Sequence, residues 1–188
     1  MSETAQERAG SDEEHTYSGL FGAFPYAYRA SDSRLFRAYV VLGGLLALVL
    51  ALFFGLAIVT LLGQTATASG GTFTFSRSLF VLVGFFAVGP LVAPVLFVAR
   101  QHRRGLGDER YDRTMALLGL GFVLSLYVAS VVSIPPSYEM DGQVMQRDAP
   151  SGLFAPIVGA LYALPAWTSP VFPAIVALGM YLVHRRQR

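Results

Sequence analysis

The chain has 188 residues, 54% hydrophobic and only 14% charged, with a net charge of +2 and no cysteine. Soluble domains run nearer ~45–50% apolar and ~25% charged, so this composition argues against a water-soluble globule. The missing cysteine excludes disulfides, thiolate metal sites and cysteine nucleophiles. The small positive balance comes without the basic stripe, interleaved aromatics or recognition motif of a nucleic-acid partner.

Residues 1–16 are polar and acidic (Glu3, Glu7, Asp12, Glu13, Glu14) and read as a disordered tail. No signal peptide is visible, because the first apolar run begins too late. Residues 17–36 mix Tyr17, Phe21, Phe24, Tyr26 and Tyr28 with Arg29 and Arg34. Rings and guanidinium groups of this kind suit the headgroup region, so an interfacial segment is expected on the inner leaflet. Ser31 or Ser33 is placed to cap the helix that follows.

The rest, 37–188, is expected to be a transmembrane domain. Four stretches lack charge altogether: 38–76, 78–99, 114–138 and 149–183. A hydrocarbon core needs roughly 20 apolar residues, which each stretch supplies. The spans predicted from them are 37–62, 79–99, 114–134 and 167–183. Between the first two lies a small, polar connection with a Gly70-Gly71 turn signal. Its Thr72-Phe73-Thr74-Phe75 alternation reads as a short strand or as an interfacial aromatic anchor. The second span is broken by Pro90 and Pro94, each of which removes a backbone donor that neighbouring helices must compensate. Asp108 is placed to cap the third span, which Pro135-Pro136 ends. The final stretch is too long for one upright helix and too short for two spans with a turn. It is therefore read as an interfacial or re-entrant helix over 153–164 followed by one span, with Trp167 at the outer interface.

Arginines fix the orientation. Arg29, Arg34 and Arg37 precede the first span; Arg100, Arg103, Arg104, Arg110 and Arg113 separate the second from the third; Arg185, Arg186 and Arg188 follow the last. Cationic residues near spans stay on the cytoplasmic side, so both termini are expected there, in an all-α, multi-pass protein of the cell membrane. Arg100, Arg103 and Arg104 are the best candidates to meet anionic lipid headgroups.

Small residues recur every fourth position in span one (Gly43, Ala47, Ala51, Gly55) and in span three (Gly121, Ser125, Ala129, Ser133). Residues four apart share a helix face, so each ladder is a candidate packing groove. Spans two and four each hold a proline pair, and each is followed by His-Arg-Arg, at 102–104 and 184–186. The two halves thus read as an internal repeat of two helical hairpins.

Every one of the 14 basic residues is Arg, and Asn is absent too. With the acidic start, this composition resembles that of small polytopic membrane proteins of halophilic archaea. The likeness is compositional and carries over no catalytic or binding residue.

Beyond Arg37, which opens the first, no ionisable residue falls inside the four predicted spans, whereas proton relays and counter-charge sites need one within the hydrocarbon. Ser125, Ser130, Ser133 and Thr60 are expected to bond within their own helices. His15, His102 and His184 fall on the cytoplasmic side without a third ligand at metal-binding spacing. Glu139, Asp141 and Asp148 read as a solvated acidic loop, and 105–107 as a turn rather than a nucleotide loop. No cofactor is implied. The favoured function is a non-enzymatic structural or interaction subunit, with membrane lipids and a membrane-protein partner or second copy as its contacts. The alternative is a small transporter or channel for a neutral solute, lined by Ser125, Tyr127, Ser130 and the proline-broken backbones. An enzyme would need a cytoplasmic constellation of Arg with Asp108, Glu109 and Asp112.

Overall fold

The computed structural model describes residues 19–66, 75–140 and 142–187. The acidic start, His15 and positions 72–74 of the strand-or-anchor alternative lie outside them. The described chain is mostly helical: α1 Gly19–Ala30, α2 Arg34–Ala66, α3 Phe75–Arg103, α4 Glu109–Ser133, β1 Ser137–Met140, β2 Gln143–Gln146, α5 Ala155–Tyr162 and α6 Val171–Arg186, with a 3-10 turn at Ala166–Thr168 before α6. Among the described residues, three segments are long and apolar enough to cross a membrane: Arg34–Thr60, Glu109–Ser133 and Ala166–Arg186.

Two compact units divide the chain, Met1–Gly119 and Leu120–Arg188. In the first, α1 folds back along α2 and also touches α3. Its small residues Ala23 and Ala27 are buried, while Phe21 is 87% exposed. The turn between α1 and α2 is built from the serines singled out above. Ser33 Oγ accepts the Phe36 N–H at 3.4 Å and its carbonyl accepts the Arg37 N–H at 3.0 Å, so Ser33 caps α2. Ser31 Oγ accepts the Ser33 N–H at 3.2 Å. Along α2, large side chains such as Leu45, Leu52, Phe53 and Leu56 stay more than half exposed.

Helix α3 runs unbroken through Pro90 and Pro94. Pro94 removes the donor for the Pro90 carbonyl. The adjoining Leu91 carbonyl takes the Tyr39 hydroxyl of α2 at 2.6 Å. A Schellman motif ends α3: Leu106 N–H donates to Gln101 O (3.1 Å) and Gly105 N–H to His102 O (3.0 Å), with Gly105 at φ +71°. Asp108 then caps α4, its Oδ1 accepting the Arg110 N–H at 3.1 Å.

The helices outrun the predicted spans. Helix α4 begins at Glu109 rather than 114, because Glu109 and Asp112 in its first turn favour the positive end of the helix dipole. Helix α2 likewise begins at Arg34 rather than 37 and runs on to Ala66 rather than 62. In the second unit, the stretch expected as a solvated loop holds an antiparallel β-hairpin that pairs Ser137 with Gln146 and Glu139 with Val144. Gly142 supplies the positive φ (+77°) its turn needs. Arg147 closes the hairpin, donating Nη1 to Ile134 O at 2.7 Å, with its guanidinium 3.7 Å from the Tyr162 ring centroid. Helix α5 is eight residues long, about 12 Å, which cannot cross a bilayer.

Candidate functional site: a buried polar junction at the basic helix ends

Where α1 turns into α2 and α3 turns into α4, polar groups collect out of solvent. Ser31, Ser33, Gln101, Asp112 and the Tyr111 ring are all buried. Between α3 and α4, His102 Nε2 lies 2.9 Å from Asp112 Oδ2; the imidazole is 18% exposed and the carboxylate fully buried. The Schellman turn makes this contact, since it reverses the chain so that residues ten apart meet. Gly107 lies so close to the imidazole that any Cβ there would overlap the ring.

The bond to Asp112 raises the His102 pKa above its usual value, and the negative charges of Asp112 and Asp32 add to this against the opposing cost of burial. The pair therefore favours imidazolium facing carboxylate. Asp112 Oδ1 is buried without a hydrogen-bond partner, which leaves the carboxylate half satisfied. On the rim, Arg37 donates Nε to Ser31 O at 2.8 Å, approaches Asp32 at 3.8 Å and lies over the Tyr28 ring.

Sequence reasoning assigned Asp112 to a connecting loop and found no ionisable group within the spans beyond Arg37, the first residue of one. The longer α4 places this carboxylate inside a helix and inside the protein. The Asp108 cap and the Schellman glycine together carried the signal, because they bring the α4 start beside the α3 end. Among the described residues, no cluster of three or more His, Cys, Asp or Glu could hold a metal.

The small-residue ladders take varied positions. Gly43 and Ala47 are buried, and Ala51 and Gly55 half-buried. On α4, Ser125 is buried, Gly121 and Ala129 half-buried, and Ser133 exposed. The tightest approaches fall outside both ladders. Gly44 receives the Phe24 ring, Gly84 faces Phe54, and Gly119 faces Tyr39, each so closely that an added Cβ would force the ring to move. The serines bond backward along their own helix: Ser125 Oγ to Phe122 O (2.7 Å), Ser130 Oγ to Tyr127 O (2.7 Å) and Ser133 Oγ to Ser130 O (2.8 Å). Arg100, Arg103 and Arg104 are exposed at the end of α3, and His184 is buried near the end of α6.

No curated protein and no solved structure matches the chain. One family model matches, described as a domain of unknown function (DUF8056), and it covers residues 1–188. With its whole length inside that match, the chain belongs to the DUF8056 family.

Proposed function

We propose that the chain is a non-enzymatic, multi-pass subunit of the cell membrane that works by packing against lipids and other helices. In this reading α3 is a fourth span beside the three apolar segments, both termini are cytoplasmic, and the basic helix ends mark the inner face. The observation that carries it is the apolar surface of α2. Large hydrophobic side chains are exposed from Val41 to Val59, about 27 Å along the axis, close to the ~30 Å of a hydrocarbon core. Water would not tolerate such a surface, so lipid or partner helices must cover it. The lengths support the fourth span as well: α3 has 29 residues, about 43 Å.

The serine geometry favours packing over transport. A path for a neutral solute would turn hydroxyls toward a cavity, whereas those of Ser125 and Ser130 are spent on their own backbones. The polar junction then acts as an internal brace, holding the basic ends of α2, α3 and α4 in register.

The absence of cysteine makes topology directly measurable. Val144→Cys in the hairpin should react with a membrane-impermeant maleimide from outside intact cells. Leu106→Cys between α3 and α4 should react only after permeabilisation, and Ser130→Cys should stay unlabelled. Reversed labelling of the first two, or protein released by carbonate without detergent, would overturn the reading. Labelling at Ser130→Cys from water would favour the solute path.

A further inference from the structure

A cleft of about 330 Å³ opens in the first unit where the start of α1 lies against α2 and α3. Its walls are Phe21 and Phe24 of α1, Ala47 and Ala51 of α2, and Val88 and Val92 of α3. The volume falls within the ~300–1,000 Å³ common for small-ligand sites. Such sites place a few polar groups among apolar ones, but here every lining side chain is apolar, so the matching ligand is hydrocarbon. The small residues at Ala47 and Ala51 create the space, and the Phe24 ring seated on Gly44 fixes one wall.

The charges point to the rest of the ligand. All three helices carry exposed arginines at the same end: Arg29 late in α1, Arg34 at the start of α2 and Arg100 near the end of α3. Along the helix axes these lie roughly 8–20 Å from the nearest wall residue of the cleft on the same helix, at 1.5 Å per residue. One leaflet's hydrocarbon is about 15 Å deep, half of the ~30 Å core. A headgroup at those arginines would thus lay its tail into the cleft.

We propose that this cleft is an acyl-chain site, holding one tail of an anionic membrane lipid whose headgroup sits among Arg29, Arg34 and Arg100. The proposal rests on the membrane reading above and names a bound lipid within it. Wall and lipid would stabilise each other: the exposed Phe21 ring is covered by the tail, and α1 is held against α2 and α3.

The test uses the full chain in mild detergent, stripped of lipid and titrated with phosphatidylglycerol or phosphatidylcholine, with bound lipid per chain read by native mass spectrometry. One phosphatidylglycerol should be retained, with phosphatidylcholine at least tenfold weaker. Ala51→Phe, which fills the cleft, should weaken both at least tenfold. Replacing Arg29, Arg34 and Arg100 together by Gln should bring phosphatidylglycerol down to the phosphatidylcholine level. Should Ala51→Phe fail to fold, a fluorophore on Leu20→Cys reads the same contact. Phosphatidylglycerol with brominated chains should quench it more strongly than the brominated phosphatidylcholine. Equal binding of the two lipids, unchanged binding by a folded Ala51→Phe, or a second chain retained in place of lipid overturns the site while leaving the membrane reading intact. Protein that stays soluble without detergent overturns both.

Discussion

The molecule ties down helix ends in two different ways. Between the end of α3 and the start of α4, the anchor is a buried carboxylate facing a histidine, with Gly107 packed against the ring. Past the far end of α4, the anchor is the half-buried Arg147, set on the exposed Ile134 carbonyl and the Tyr162 ring. Both supply polar partners to a chain reversal. They differ in what their loss leaves behind. Removing Arg147 returns a carbonyl to solvent, whereas removing His102 strands a carboxylate that has no access to water. Burial, more than the number of contacts, decides which anchor the fold depends on.

Mutation can break that contrast. The largest effect is expected for His102→Ala. Breaking a buried ion pair costs about 3–5 kcal/mol, and the partial exposure of His102 puts this case nearer 2–3 kcal/mol. Reversible unfolding in detergent micelles measures it. The double replacement His102→Leu with Asp112→Leu should cost less than the sum of the single ones, because no charge is then left uncompensated. A sum that is simply additive would mean the two groups do not work as a pair.

A second, smaller effect is pH dependence. Hydrogen bonding to Asp112, with the charges of Asp112 and Asp32, holds folded His102 above the ~6.5 of an unfolded histidine. The pair's contribution is therefore complete below about pH 6.5 and is lost as pH rises through the elevated folded-state value. Unfolding temperature should fall across that window in the native chain and stay level in His102→Gln. The smallest effect is expected for Arg147→Gln, about 1 kcal/mol, between the exposed and the desolvated range of a cation–ring contact, because both side chains are half-buried. If this variant destabilises the protein as much as His102→Ala, the contrast between the anchors fails.

Much of the helical content was legible because uncharged stretches of this length have few other ways to fold. Caps were legible too: Ser33 and Asp108 hold the backbone donors their positions suggested. What escaped was the junction. Charged residues were taken as the limits of each span, so Glu109 and Asp112 fell to a loop, although acidic residues belong in a helix's first turn. The hairpin escaped for a related reason. Glu139 and Asp141 drew attention to charge, while the Asp141-Gly142 pair flanked by Tyr138 and Val144 is a strong short-range hairpin signal. The ladders show a firmer limit. Spacing says which small residues share a face but not which ring will arrive there, and Phe24 meets Gly44, one position away from the ladder.

One indole in the whole sequence has a practical consequence. Trp167 is the only tryptophan, 76% exposed in the short turn ahead of α6. Emission excited at its red edge therefore reports a single address. Its wavelength maximum and its response to dissolved quenchers describe the local polarity around that turn, with no mixture of signals to unravel.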